Sequence, residues 1–294
     1  MEPSDLYQGE VHLSPVQQVW QRFQQNHIAL VGLWFMLLVM FVSIVVPWFL
    51  PYSPTEQNPA QVLIPPSWTP NGSVVHLFGT DDLGRDVFTR ILYGARTTFF
   101  AGLLVVCIAF GIGTILGVFA GMYRGIKSST INHLLDVFMA LPTLLIAIVI
   151  VAILGPGLSN LIVAISLAMI PKFVHSARSF VRTELQKEYI LAARLDGASH
   201  LQLVLYSVVP NMLQLLIVQT TLAFTTAILD VTALGFLRLG VEPPQIELGA
   251  MIGSNAKLSF IAPWTIILPG IFIIAIVISN NLVGDGLRSA LEKS

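Results

Sequence analysis

Long apolar runs separated by short polar segments dominate the 294-residue chain. About 20 consecutive apolar residues span the hydrocarbon core of a bilayer as a helix. Runs of that length fall at about 28–50, 98–122, 134–154, 158–176, 213–237 and 263–283. The pattern therefore predicts an all-α integral membrane protein with six transmembrane helices, although Pro171 and Lys172 interrupt the fourth run.

The same pattern divides the chain into consecutive regions. They are an N-terminal segment at 1–27, a first transmembrane helix at 28–50, a polar excursion at 51–97, a helical core at 98–286 with a long polar loop at 171–211, and a C-terminal segment at 287–294. Prolines crowd the first half of the excursion, so we expect turns or extended chain there. Its second half predicts an amphipathic helix at 86–93 on the membrane surface, with Asp86 and Arg90 on the polar side.

Composition agrees with the membrane assignment. Hydrophobic residues make up 55% of the chain and charged residues 11%, which leaves too little polar surface to cover a soluble domain. Lysine and arginine are scattered, so no nucleic-acid partner is expected. The single cysteine, Cys107, excludes a disulfide within the chain, and the dispersed histidines predict no metal site.

The distribution of lysine and arginine predicts the orientation. With a cytoplasmic N-terminus, ten of the 15 basic residues fall inside and five outside, which favours both termini inside. The inside set is Arg22, Arg124, Lys127, Lys172, Arg178, Arg182, Lys187, Arg194, Arg288 and Lys293, and the outside set is Arg85, Arg90, Arg96, Arg238 and Lys257.

The most informative polar segment is YILAARLDGASHLQLVLYSVVPN, at 189–211. It contains Ala192, Ala193 and Gly197, and Pro210 follows that glycine by thirteen residues. Small side chains allow a short helix to bring its backbone close to a partner surface. Charged neighbours, among them Arg194 and Asp196, would orient that partner, and the proline would end or bend the segment.

This spacing resembles the coupling loop of ATP-binding-cassette importer permeases, written Glu-Ala-Ala, three residues, Gly, nine residues, Ile-x-Leu-Pro. Leu191 stands at the position of the acid, which removes a role for that one side chain. Further similar segments are GTDDLGRDVFTRILYGAR at 79–96, LDVFMALPTLL at 135–145, ILDVTALGFLRLG at 228–240 and GDGLR at 284–288. Together they resemble the C-type permease of dipeptide and oligopeptide importers, including the branch named for sensitivity to antimicrobial peptides.

The resemblance implies a type I importer permease fold in a bacterial inner membrane, with a cytoplasmic coupling helix that docks on an ATPase. It also implies a homologous permease that shares the translocation path, two cytoplasmic ATPases and a periplasmic substrate-binding protein. The excursion at 51–97 would then be a platform for the binding protein or the partner permease, or else a structural collar. The substrate remains open among dipeptides, longer peptides, cationic antimicrobial peptides, haem, nickel complexes and polyamines.

Asp230 is the exceptional polar residue of the apolar runs, since it lies within the fifth run, near Thr226. Intramembrane carboxylates are costly and are often functional. One reading places Asp230 and Thr226 on the translocation path, where the acid meets a cationic substrate. The other makes Asp230 a structural group that neighbouring helices satisfy.

The chain lacks the pattern Gly, four residues, Gly-Lys-Ser/Thr that cradles nucleotide phosphates. We therefore expect no cofactor, no catalytic residues and no ATP hydrolysis by this chain. Two other classes stay open as alternatives. An ion-driven secondary transporter would need repeated, interrupted helices and clustered buried ionisable groups, and a non-transporting structural partner would need no coupling loop.

Overall fold

The computed structural model describes residues 15–49, 51–122, 135 and 137–292, and all its regular elements there are helical. Ten α-helices are described: α1 Pro15–Gln25, α2 His27–Val45, α3 Val87–Met122, α4 Thr143–Leu154, α5 Leu158–Glu184, α6 Glu188–Leu195, α7 His200–Leu203, α8 Val209–Phe236, α9 Leu248–Asn255 and α10 Trp264–Glu292. Short 3₁₀ turns lie at Val46–Trp48, Pro59–Gln61 and Ala256–Leu258, and a π-helical turn lies at Val204–Val208.

Among the described residues, five helices are long and apolar enough to cross a membrane. The sequence predicted six, and the third predicted span, 134–154, is the one that differs. Its described helix, α4, has 12 residues, about 18 Å at 1.5 Å per residue, and is too short to span alone. Pro142 precedes α4, and a proline disfavours a helical conformation in the residue before it. Residues 123–134 and 136, with Arg124 and Lys127, lie outside the described residues.

Two other predicted boundaries are wrong. Helix α5 continues through Pro171 to Glu184, so the first part of the polar loop predicted at 171–211 is helical. Helix α3 begins at Val87 and runs unbroken to Met122, so the boundary at 97 and 98 divides one helix. Asp86 and Arg90 are buried rather than exposed to water, and most of the predicted surface helix at 86–93 is the first part of the continuous helix α3.

Helices α3 and α5 run parallel and pack through glycines. A Cβ atom added to Gly113, Gly117 or Gly121 would come within about 2.8 Å of side-chain atoms of Phe173, Ala177 or Val181. Such contact is closer than van der Waals packing permits, so only glycine allows this approach, as in other small-residue helix interfaces. Gly111, two residues before Gly113 on α3, has open space around it and takes no part.

Helix α8 contacts α3, α5, α9 and α10. Its contact with α10 is polar: Asn280 Nδ2 donates to the Thr221 carbonyl and to Thr225 Oγ1, each at 2.8 Å. Helix α10 also packs against α2, where Gly32 faces Leu282 and Gly286 faces Ala29. The described parts of both termini therefore lie at the end of the bundle that also carries α6.

Residues 51–86 form a compact cap at the opposite end. Trp264 Nε1, at the start of α10, donates to the Thr80 carbonyl at 3.1 Å and fixes the cap to the bundle. Inside it, Asp86 Oδ1 lies 3.0 Å from His76 Nδ1, and Asp86 Oδ2 accepts from the Thr89 amide at 2.8 Å and hydroxyl at 2.6 Å. Asp86 thus joins the cap to the first turn of α3.

We expect Asp86→Ala to loosen the cap, because it leaves the buried donors of His76 and Thr89 without their acceptor. Removing one partner of such a buried pair costs about 3 kcal/mol, roughly a hundredfold change in the opening equilibrium. Hydrogen exchange of residues 51–86 measures this change. Asp82→Ala is the matched control, because the Asp82 side chain is 46% exposed and its ion pair with Arg85 is long at 3.5 Å. Equal exchange in the two variants would contradict the role of Asp86 in holding the cap.

Candidate functional site

A buried carboxylate holds the segment between α5 and α8 in place. Glu184, the last residue of α5, is only 2% exposed. Its Oε1 accepts from the Tyr189 hydroxyl at 2.6 Å and from Asn211 Nδ2 at 3.3 Å, and its Oε2 lies 2.8 Å from Lys187 Nζ. We call these four residues the Glu184 clamp. It joins the end of α5, the start of α6 and the first turn of α8.

The protonation states of its donors suit the clamp. Burial, followed by the hydrogen bond to Glu184, raises the pKa of the Tyr189 phenol. The hydrogen bond to Glu184 raises the pKa of Lys187. Both shifts favour the protonated forms that donate to the carboxylate, so the clamp keeps its donors at neutral pH.

Helix α6 packs on the bundle with one face and leaves an apolar face uncovered. Ile190 is completely buried in the core, and Ala193 packs against the same core. On the other side, Leu191 and Ala192 are exposed, and Leu195 is 89% exposed. Leu195 lies one turn after both Leu191 and Ala192, so the three residues form one exposed side of the helix. Of the two alanines expected to face a partner, only Ala192 lies on this exposed face.

Gly197 has a conformational role that the sequence argument did not identify. Its φ is +90°, a value that residues with a side chain rarely adopt. Its amide donates to the Arg194 carbonyl at 3.1 Å, and the Ala198 amide donates to the Ala193 carbonyl at 3.0 Å. These two bonds form a Schellman motif that ends α6. The glycine is therefore required by the turn after the helix, with Asp196 exposed at the C-cap.

Pro210 lies in the first turn of α8, where a missing amide is tolerated. The sequence predicted that it ends or bends the segment; helical structure continues from Leu201 to Phe236, so it does not end it. A proline leaves the carbonyl four residues before it without its usual donor. The chain accommodates this with the π-helical turn just before α8, in which the Val209 amide donates to the Val204 carbonyl.

Asp230 is buried in α8 and differs from a fully paired structural acid. The Thr143 hydroxyl at the start of α4 is hydrogen-bonded to its carboxylate, and Lys172 in α5 attracts the carboxylate electrostatically. Its Oδ2 is buried without a hydrogen-bond partner among the described residues. Unpaired buried polar atoms are rare in folded proteins and need an explanation.

Asp230 belongs to a line of polar residues along one face of α8. Thr226 lies one turn before it, half-buried, and its hydroxyl donates to the Leu222 carbonyl at 3.1 Å. Two turns before Thr226, Gln219 Nε2 donates to the Lys172 carbonyl at 3.2 Å. We call Gln219, Thr226 and Asp230 the polar stripe, which extends over about 16 Å of helix.

Glu247, a second buried acid, provides a contrast. Both carboxylate oxygens accept bonds: Oε1 from the Gly249 amide and Thr98 hydroxyl, each at 2.9 Å, and Oε2 from the Ala250 amide at 2.8 Å. Glu247 therefore caps α9 and ties it to α3. Burial raises the pKa of this carboxyl group, and the three hydrogen bonds oppose that shift.

Glu184 and Glu247 were not among the functional residues predicted from the sequence. Both lie outside the apolar runs as drawn from the sequence, so neither counted as an intramembrane acid. A local signal existed for Glu184, because Lys187 and Tyr189 follow at spacings that allow contact around a turn. No such local signal existed for Asn211, which is 27 residues away.

Two known protein families match parts of this chain. The family described as "Binding-protein-dependent transport system inner membrane component" matches residues 113–294. The family described as "N-terminal TM domain of oligopeptide transport permease C" matches residues 14–66. Between them lie the rest of the cap and most of α3.

Curated relatives match along almost the whole chain. The di/tripeptide transport system permease protein DppC of Pseudomonas aeruginosa (strain UCBPP-PA14) is 46% identical over 282 residues, 96% of this chain and 93% of that protein. The peptide transport system permease protein SapC of Escherichia coli O6:H1 is 44% identical over 276 residues, 94% of this chain and 93% of that protein. The resemblance drawn from the motifs is confirmed.

A solved structure matches the fold. A crystal form of the MetNI methionine ABC transporter in an inward-facing conformation aligns with a TM-score of 0.55 at 18% identity, over 69% of this chain and 97% of that chain. At this identity the likeness concerns the fold alone.

We expect Glu184→Ala to release α6 from the bundle, because the variant loses the one acceptor shared by Lys187, Tyr189 and Asn211. Losing such charge-assisted bonds costs about 1.5–3 kcal/mol, so exchange of the 188–195 amides should rise by at least roughly tenfold. Hydrogen exchange monitored by mass spectrometry measures it. Glu188→Ala removes an exposed acid from α6 itself and should leave exchange near the native rate. Unchanged exchange in Glu184→Ala would show that the clamp does not hold α6.

Proposed function

The chain belongs to the binding-protein-dependent inner-membrane permeases, and we propose that it is a membrane subunit of an ATP-driven importer of peptides. The family's members are permease subunits and not enzymes, and ATP hydrolysis belongs to separate subunits. The peptide substrate is supported by two relatives named for dipeptide and peptide transport, each more than 40% identical. Neither an ion-driven transporter nor a non-transporting partner is favoured by any of these similarities.

The uncovered face of α6 is the observation that carries the coupling role. Leu191, Ala192 and Leu195 present apolar surface to solvent at the end of the bundle, and the Glu184 clamp holds that surface in a fixed position. An apolar helix face held rigidly in this way suits insertion into a cleft of a partner protein. We therefore assign α6 as the coupling helix, with an ATPase subunit as its partner and Arg194 and Asp196 at the edge of the contact.

The other subunits follow from the family. A second permease would complete the translocation path, two ATPases would bind at the α6 end, and a substrate-binding protein would bind at the cap end. The cap suits this last role because Val74, Val75 and Trp68 are exposed on it. Exposed apolar residues grouped on a polar region are typical of protein interaction sites.

The orientation supported by the basic residues places the α6 end in the cytoplasm and the cap in the periplasm. Both described terminal regions lie at the α6 end, so one assignment orients the whole chain. The type I fold with six spans requires that α4 and the residues before it cross the membrane together. Labelling of a Leu195→Cys variant by an impermeant maleimide in intact cells would contradict this orientation.

The polar stripe is the proposed lining of the translocation path. Gln219, Thr226 and Asp230 share one face of α8, and the buried Oδ2 of Asp230, which has no partner among the described residues, would accept a hydrogen bond from a ligand once the path opens beside it. The amino groups of peptides are suitable donors for it. Glu247, whose oxygens are all occupied, belongs to the structural scaffold instead.

We expect Leu195→Glu to prevent docking of the ATPase without disturbing the bundle, because the side chain is 89% exposed and makes little internal contact. A buried, unpaired charge at an interface costs several kcal/mol, so the ATPase retained per purified permease should fall by at least about tenfold. Val74→Glu, the same change at a residue 90% exposed on the cap, should retain the ATPase. Normal retention and uptake with Leu195→Glu would contradict the assignment of α6.

We expect Asp230→Asn to preserve assembly and lower uptake of a lysine-containing dipeptide, since the amide keeps the shape of the side chain but not its charge. A loss of about tenfold in uptake per assembled complex corresponds to one charge-assisted hydrogen bond. Complex yield and melting temperature are measured beside uptake. Glu247→Gln should show the opposite pattern, with lower stability and normal uptake per complex. Reduced yield with normal uptake per complex for Asp230→Asn would defeat the path assignment.

A further inference from the structure

A cavity of about 510 Å³ lies where α1, α2 and the end of α10 meet. Arg22 of α1, Asn26 and His27 at the start of α2, and Ser289 of α10 line it. The cavity is at the α6 end of the bundle, but it is remote from the coupling helix and from the polar stripe. Neither the coupling role nor the translocation path accounts for it.

The chemistry of the lining favours an anion. Arg22 and His27 contribute basic side chains, and the described lining includes no acid. The Nη1 atom of Arg22 is buried and has no hydrogen-bond partner among the described residues. This nitrogen is a strong donor without an acceptor, and phosphate oxygens are acceptors that match the geometry of a guanidinium group.

The start of α2 adds backbone donors beside Arg22. Asn26 caps this helix, and its Oδ1 accepts from the Ala29 amide at 3.2 Å. The amides of His27 and Ile28, the first two of the helix, have no acceptor within it. Both residues line the cavity, and the positive end of the helix dipole adds to the attraction for an anion.

The packing around the cavity holds these donors together. Phe23, one residue after Arg22, is buried against Ala29 and Ala290, and its ring stacks on Trp20 at 5.7 Å. A Cβ atom at Gly286 would collide with Ala29 and come within 3.0 Å of Phe23, so the close contact of α2 and α10 depends on that glycine. The cavity is thus a fixed feature of the helix junction.

The surroundings of the cavity indicate that a phosphate group bound there would come from a lipid. Ile28 lines the cavity and is 66% exposed, and Val31, one turn further along α2, is equally exposed. Both belong to a helix that is apolar enough to span a membrane. An acyl chain could follow this surface while its headgroup occupies the cavity, and the exposed Trp20 is a residue type enriched at that depth.

We propose that the cavity between α1, α2 and α10 binds a phosphate group, supplied by an anionic phospholipid of the surrounding leaflet. Arg22 and the first amides of α2 contact the phosphate, His27 lies beside it, and Ile28 and Val31 contact the acyl chain. The proposal does not depend on the transported substrate. It assigns α1 a function as a membrane-surface helix whose position is set by a bound lipid.

The test compares the full-length chain, purified with its partner subunits, in nanodiscs of phosphatidylcholine with and without phosphatidylglycerol. Phosphatidylglycerol should slow hydrogen exchange of residues 17–31 by about tenfold, the effect of one charge-assisted contact. Arg22→Gln should remove this protection. Arg288→Gln is the matched control, because Arg288 lies at the same end on α10, is exposed and is paired with Glu292 at 2.7 Å. The Arg288→Gln variant should keep the protection by phosphatidylglycerol.

Three results would overturn the proposal. One is equal protection by both lipids. Another is an equal effect of the Arg22→Gln and Arg288→Gln variants, which would indicate attraction by overall charge. The third is equal protection by inorganic phosphate in phosphatidylcholine nanodiscs, which would exclude the lipid as the source. Uptake and ATPase retention serve as separate readouts, so failure of this site is distinguishable from failure of the coupling role.

Discussion

The close approach of α3 and α5 is the constraint on which the rest of the arrangement depends. Apolar side chains gain little from leaving lipid for another helix, so helices in a membrane associate through close packing. Gly113, Gly117 and Gly121 allow that packing, and they fix the C-terminal half of α5 against α3. Glu184 lies at the end of this fixed helix. Its carboxylate then sets the position of α6 through Tyr189 and of α8 through Asn211.

This chain of contacts provides a mechanical basis for coupling. A partner that moves α6 must either break the Glu184 clamp or move α8 with it, since one carboxylate serves both. Helix α8 also carries the polar stripe, so a displacement of α6 would reach Asp230 through a single continuous helix. The π-helical turn at Val204–Val208 lies between the two and offers a place where that helix can adjust.

Much of the fold could be predicted from the sequence, because apolar length determines where helices cross a bilayer. What it could not provide were boundaries set by tertiary contacts. Pro171 was expected to interrupt a span, yet the bundle accommodates it within α5. Asp86 and Arg90 look like the polar face of a surface helix, but the cap buries them by supplying His76, Asp81 and the Pro54 carbonyl as partners. Such partners are distant in sequence and invisible to local periodicity.

For the candidate site too, the sequence predicts the location but not the tertiary contacts. The spacing of Ala192, Gly197 and Pro210 predicts that this segment couples to an ATPase, but it does not give the structural reason for each residue. Gly197 is needed for a left-handed turn, and Ala193 packs inward rather than toward a partner. The residue that holds the segment, Glu184, has its partner Asn211 on another helix. Whether both oxygens of a buried acid are paired, as in Glu247, or one lacks a partner among the described residues, as in Asp230, can be decided only once the helices are packed.

The most direct test of the account is crosslinking at the exposed face of α6 in living cells. A photoreactive amino acid at position 195 should form an adduct with the cytoplasmic ATPase, and one at position 74 of the cap should form none with it. The adduct at position 195 should weaken in the Glu184→Ala background, where α6 is no longer held. An ATPase adduct from position 74, or none from position 195 in an importer that transports normally, would contradict the assignment of α6 as the coupling helix.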